Sequence, residues 1–181
     1  MNLFQKPEKL KLEALNRKSV EEFKESDKIP VVILLDNVRS MHNVGSVFRT
    51  SDAFSMEKIY LCGITPTPPH REIQKTALGA TESVYWQHVE SISELIKSLK
   101  NEGYLIVGIE QVKGSTLLQD YKIDTGKKFA IIMGNEVEGI SENILQEIDV
   151  FVEIPQSGTK HSLNVSVCTG IILWEWYKAF S

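Results

Sequence analysis

No stretch of this sequence stays apolar for the ~20 residues that a membrane-spanning helix needs, so a helical membrane anchor is not expected. The opening residues hold no continuous apolar core and no small-residue cleavage site, and no secretory leader is expected there. Cysteine is scarce. Cys62 and Cys168 lie far apart inside apolar runs, which reads as two free thiols in a reducing, cytoplasmic setting. The histidines, His42, His70, His88 and His161, are too scattered for ligand spacing, and no metal site is expected. Several signatures are missing altogether: Gly-x-x-x-x-Gly-Lys-Ser/Thr, a Gly-x-Gly-x-x-Gly after a strand, Gly-x-Ser-x-Gly, His-Glu-x-x-His and Cys-x-x-Cys. Their absence removes support for P-loop, dinucleotide, serine-hydrolase and zinc chemistry. There is no internal repeat and no low-complexity tract.

What is present is an ordinary globular composition long enough for one sizeable core. The formal net charge of −4 weighs against a nucleic-acid partner, but the distribution matters more than the sum. Lys6, Lys9, Lys11, Arg17 and Lys18 crowd the N-terminal stretch, and Arg39, His42, Arg71, Lys113 and Lys160 fall in loops, so one positive face is possible on an acidic chain. Glu8 to Glu25 has amphipathic helical spacing, with Leu12, Leu15 and Phe23 on one side. Short apolar runs follow: 31–36, 58–63, 83–86, 104–110, 129–134 and 150–155. They are rich in Val, Ile and Tyr and mostly do not alternate, as strands covered on both faces should read. Helical patterns separate them, near Val44–Phe54, Arg71–Leu78, Ser91–Asn101 and Glu142–Glu147, and a last one runs from Val165. The expected architecture is α/β, an open, mostly parallel sheet with helices on both faces. The expected division is an N-terminal extension over 1–28 and a main domain over 29–181.

In open parallel sheets, ligands bind beyond the carboxyl ends of the strands, so the loops that follow strands carry the information. Three segments stand out there. In "NVGSVFR", Asn43 precedes Gly45 and Arg49, which share a helix face; the glycine permits close backbone approach and the arginine supplies a planar cation. In "IIMGNEVEGIS", a buried strand empties into Gly134, Asn135, Glu136 and Gly139, where two glycines allow unusual backbone angles. In "SLNVS", Ser162 and Asn164 stand at a helix start whose backbone N–H groups need acceptors. Taken singly, each has a plain structural explanation: a cap, a surface arginine, a loop acid.

In this order, the three segments resemble the SpoU/TrmH family of RNA ribose 2′-O-methyltransferases. The family pattern runs Asn-x-Gly-x-x-x-Arg, then Gly-Asn-Glu-x-x-Gly, then Ile-Pro followed by Ser-Leu-Asn-x-Ser. "KTALGA" (75–80) is similar to the family's middle segment, and the likeness covers about Val31 to Tyr177. Gln156 departs from the pattern, standing where many relatives have methionine. The resemblance implies a C-terminal deep trefoil knot, a homodimer and S-adenosylmethionine as methyl donor. It implies donor-binding roles for Gly134, Asn135, Glu136, Gly139, Ile154, Ser162, Leu163 and Asn164. Arg49, Asn43 and Glu136 would serve catalysis, and Arg17, Arg39, His42, Arg71 and Lys160 would meet RNA. Without the separate N-terminal RNA-binding domain of many ribosomal members, tRNA is the expected substrate. Ribosomal RNA, or a catalytically silent RNA-binding module of the same fold, are the alternatives.

Overall fold

The computed structural model describes Lys9, residues 17–160 and residues 162–181. Its strands are β1 (Ile29–Asp36), β2 (Met56–Cys62), β3 (Trp86–Val89), β4 (Tyr104–Ile109), β5 (Thr116–Leu117), β6 (Lys128–Met133) and β7 (Val150–Glu153). They form one seven-stranded sheet in the order β3-β2-β1-β6-β4-β7-β5, and every pairing is parallel. The helices are α1 (Val20–Glu25), α2 (Met41–Ala53), α3 (Arg71–Ala77), α4 (Ala80–Ser83), α5 (Ile92–Asn101) and α6 (Val165–Phe180), with a 3-10 helix over Glu142–Glu147.

The unbroken apolar runs have the physical cause expected of them. Along β1, Val31, Ile33 and Leu35 join a core with Phe48, Ile73, Leu173 and Trp176, which hang from α2, α3 and α6. Val32 and Leu34 point the other way, into a second core with Ile96 and Leu99 of α5 and Ile144 of the 3-10 helix. Alternate residues thus leave the strand on opposite faces, and both faces are covered. Helix α5 shows the same logic from its own side. Ser91 caps it through Oγ, which accepts the Glu94 N–H, and Ile92, Leu95, Ile96 and Leu99 form its buried stripe. Each such side chain stabilises the fold by about 1.5–3 kcal/mol relative to exposure.

Three elements differ from expectation. The third strand begins at Trp86 and not at Ser83, because a further turn, α4, takes up Ala80–Ser83. Leu78 and Gly79 both adopt left-handed backbone there, and the Ser83 hydroxyl is tied to the Asp52 carboxylate. Strand β5 is only two residues long, too short for any pattern, and pairs at the edge with Val152 and Glu153. Helix α2 starts at Met41, three residues early, since Ser40 supplies the cap by accepting the Asn43 N–H at 3.3 Å.

Of the amphipathic helix expected over Glu8–Glu25, residue 8 and residues 10–16 lie outside the described residues. Within them, Val20–Glu25 is helical behind a Ser19/Glu22 capping box, and Phe23 is buried in the core of the main sheet. Among the described residues no helix is long and apolar enough to cross a membrane. Strand order reverses direction between β1, which leads on to β2, and its neighbour β6, which leads to β7 on the other side. A crevice is expected beyond the carboxyl ends at such a switch point.

Candidate functional site

The loops that follow β1 and β6 meet at that switch point through one carboxylate. Glu136 accepts the backbone N–H groups of Arg39 (3.1 Å) and Ser40 (3.2 Å) and the Asn43 side-chain amide (2.8 Å). Partial burial pushes the Glu136 carboxyl up, but the N–H of Arg39, the Asn43 amide, its own N–H and the N–H of Ser40 outweigh this and hold it below the usual carboxylate value. Asn43 is buried in the first turn of α2, and its carbonyl oxygen accepts the amide of Asn164 at 3.1 Å. The carbonyl oxygen of Asn164 in turn caps α6, accepting from Ser166 N–H (2.9 Å), Ser166 Oγ (2.7 Å) and Val167 N–H (3.4 Å). One side chain therefore caps a helix and links two distant segments. A chain of hydrogen bonds joins all three segments singled out in the sequence.

Residues 134–140 form a closed turn. Asn135 and Gly139 exchange backbone hydrogen bonds at 3.0 and 3.2 Å, and Asn135 Oδ1 accepts the N–H groups of Val137 and Glu138. A Cβ on Gly134 would lie 2.2 Å from the Gly139 carbonyl carbon, so the fold requires glycine there. At Gly139, φ is +70° and a Cβ would lie 2.1 Å from Glu110 Oε2. That oxygen accepts the Ile140 N–H at 3.1 Å, and Asp36, fully buried at the end of β1, accepts the Ser141 N–H at 2.7 Å. Two carboxylates from two strand ends, Glu110 and Asp36, thus pin the end of the turn.

Beside the turn lies a cavity of about 490 Å3, over the ends of β4, β6 and β7. Gly134, Asn135, Glu136, Gly139, Ile154, Ser162, Leu163 and Asn164 all line it, as does Gln156. Among the described residues, its ionisable lining comprises Glu110, Glu136, Glu138 and Glu153 with Cys168, and no Lys, Arg or His. Burial pushes the Cys168 thiol up to about 11 and the Cys62 thiol up to about 12, so both stay protonated at neutral pH and neither is a nucleophile.

Arg49 lies elsewhere. It is exposed on α2 and does not line the cavity, and the face it shares with Gly45 is not an open gap. A Cβ on Gly45 would meet Thr76 Oγ1 at 2.1 Å and the Ile73 carbonyl oxygen at 2.2 Å, so this glycine serves the crossing of α2 on α3. Asn43 is bonded to Glu136 and Asn164 and not to Arg49. Of the cations expected to meet RNA, Arg17, Arg39, His42, Arg71 and Lys160 are all exposed. His42 bonds Glu72 at 2.8 Å, which brings it to the helix that carries Arg71, while Lys160 lies in the loop that leads to α6.

The profile of the SpoU rRNA methylase family matches residues 30–174. The chain belongs to this family. A relative from Borreliella burgdorferi that carries the name tRNA/rRNA methyltransferase is 33% identical, over 86% of this chain and 67% of its own length. Another, from Staphylococcus saprophyticus and named for the TrmH family of tRNA/rRNA methyltransferases, is 31% identical over 86% of this chain. This SpoU family chain spans about 61% of that relative's length. Among solved structures, a TrmH/SpoU tRNA modifying enzyme from A. aeolicus superposes with a TM-score of 0.78 at 29% identity, covering 88% of this chain and 80% of that one. An AdoMet-bound rRNA methyltransferase from Sinorhizobium meliloti gives 0.77 at 27% identity, covering 91% and 62%. The open parallel sheet with helices on both faces is thus the SpoU/TrmH fold.

Sequence reasoning passed over Glu110 and Asp36, which hold the turn of this SpoU family member in place. Their one signal was position: each is an acid at or directly after the carboxyl end of a buried strand, in "YLIVGIE" and "VVILLD".

Proposed function

We propose that this SpoU family chain transfers a methyl group from S-adenosylmethionine to a ribose 2′-hydroxyl of structured RNA, with tRNA as substrate, as a homodimer in the cytoplasm. The observation that carries the reading is the hydrogen-bonded chain from Arg39 and Ser40 through Glu136 and Asn43 to Asn164, at the edge of a cavity lined by the family's second and third motifs. The cavity volume lies within the range of small-molecule sites. Its four carboxylates, with no opposing Lys, Arg or His among the described residues of the lining, suit a donor that carries a sulfonium and an ammonium group.

In this reading Gly134, Asn135, Gly139, Ile154, Ser162 and Leu163 hold the donor, and Glu136 and Asn164 keep the two loops together. S-adenosylmethionine, when bound, supplies a methyl group already activated on sulfur. The protein's own tasks are to position the acceptor and to stabilise the alkoxide that develops on it. Arg49 takes the second task. A guanidinium stays protonated in proteins, so its role is electrostatic, gripping a phosphate and the incipient oxyanion. The exposed position of Arg49 outside the cavity lining supports a site completed by a second copy of the chain. So does the uncovered apolar row Val167, Ile171 and Trp174 along α6, exposed by 53%, 36% and 46%. Residues 29–181 would be the catalytic domain, residues 1–28 an extension, and the segment from β7 into α6 the part threaded into a knot. The choice of tRNA leans on the A. aeolicus enzyme, of which this chain covers 80%.

Calorimetry with S-adenosylmethionine should give one donor per chain, followed by single-turnover methyl transfer to unmodified tRNA and ribose mapping of the product. No donor binding overturns the reading. Transfer to ribosomal RNA alone replaces the substrate, and donor binding without any transfer points to a silent RNA-binding module.

A further inference from the structure

The segment "KTALGA" (75–80) has no part in the donor cavity, yet its conformation is unusual for a plain connection. Leu78 closes α3 in left-handed backbone, with φ 50° and ψ 44°, a place ordinarily taken by glycine or asparagine. Its side chain is 66% exposed, so it adds little to the core of this chain. Gly79 follows at φ +92° with no heavy atom within 4 Å of where a Cβ would stand, which leaves an open backbone surface at the turn.

The packing of α2 sets what lies beside that turn. Gly45, Arg49 and Asp52 follow one another at i, i+4 and i+7 and therefore share a face. Gly45 abuts Ile73 and Thr76 of α3, and the Asp52 carboxylate accepts the Ser83 hydroxyl at the end of α4. Arg49 lies between these two contacts along α2, a helix that packs on both α3 and α4, and its side chain is exposed. The outer face of α3 leads to the same place. Arg71, Lys75 and Leu78 stand at i, i+4 and i+7, all exposed. Lys75 is engaged by Glu72 at 2.7 Å, whereas neither Arg71 nor Arg49 has an ion pair among the described residues.

We propose that Leu78 and the α3–α4 turn form the docking point for the acceptor nucleotide of the RNA, with Leu78 against its base or ribose and Arg49 and Arg71 on the flanking phosphates. Guanidinium forks match phosphate oxygens in geometry and charge. An apolar side chain held in water between them matches the flat, weakly hydrated face of a base or sugar. The inference rests on the RNA methyltransferase reading above and assigns that site its acceptor side.

The test uses the full chain, S-adenosylmethionine, and unfractionated tRNA from cells lacking the gene. Leu78→Ala should raise the KM for tRNA about tenfold and leave donor binding by calorimetry unchanged. Leu78→Gly should do the same with an equal or higher Tm, because glycine adopts the left-handed angle without strain, and Leu78→Met should restore the wild-type KM. A stability role alone would not move KM and Tm in this way. Wild-type KM in both Leu78→Ala and Leu78→Gly overturns the inference, as does a raised KM accompanied by a changed oligomeric state in light scattering, which would make Leu78 a contact between chains. If wild-type protein transfers no methyl to RNA, the functional reading fails and takes this inference with it; active wild type with indifferent variants defeats the inference alone.

Discussion

Replacing Glu136 by glutamine removes a charge while nearly keeping the shape, and the cost follows from the hydrogen bonds around it. One carboxylate oxygen accepts from Arg39 N–H and the other from Ser40 N–H and the Asn43 amide. A glutamine has one carbonyl oxygen, so its NH2 must face a donor on one side. Hydrogen bonds to a charged group contribute about 1.5–3 kcal/mol when buried, and nearer 1 kcal/mol each at this exposed carboxylate. Losing one and weakening the other two gives about 2 kcal/mol, a fall of about 4–8 °C in Tm for a domain of this size. Because the folded pKa is lowered, the carboxylate's contribution is complete above its ordinary value of 4.5 and is lost as pH falls through the folded value. Scanning calorimetry of wild type and Glu136→Gln should therefore show the gap in full at neutral pH and a shrinking gap in acid. In a double-mutant cycle with Asn43→Ala, the pair should couple by about 1 kcal/mol. A neutral-pH gap below about 1 °C, or one that persists unchanged in acid, would refute the reasoning.

Gly45→Ala puts a Cβ 2.1 Å from Thr76 Oγ1 and 2.2 Å from a helix carbonyl oxygen, so α2 and α3 must separate. Urea unfolding should show a loss of about 3 kcal/mol, the upper end for overpacking. Gly170→Leu meets nothing within 4 Å at its Cβ in this chain. Its thermal stability as a monomer should be preserved while light scattering reports weakened self-association; an unchanged dimer would remove α6 from the interface. Arg49→Lys keeps the charge but loses the planar fork, and the transfer rate should fall at least tenfold, about 1.4 kcal/mol, with donor affinity intact. Full activity in that variant would take Arg49 out of the mechanism.

The buried strands were legible because β1 and β6 are covered on both faces, and that condition writes itself as unbroken Val, Ile and Leu. The turn at 134–140 was legible through its glycines, since the chain admits no Cβ at Gly134 or Gly139. Other features left no such mark. The edge strand β5 is too short to carry a period, and β3 was misplaced because "SVYW" reads equally well as strand while a left-handed pair at 78–79 starts another helical turn. Gly45 was legible only as a point of close backbone approach, since a glycine reports that something comes close without saying what; here it is α3.

Local chemistry wrote the parallel sheet, the capped start of α6 and the motif order directly into the chain, because period, capping and turn preference act between near neighbours. The partnership of Glu136 with Asn43, 93 residues away, and with two backbone N–H groups that no side chain advertises, arose only when the sheet brought its strand ends together. The same holds for the outward placement of Arg49: which way a helix turns is decided by what packs against it, and a helix is given its neighbours by the fold.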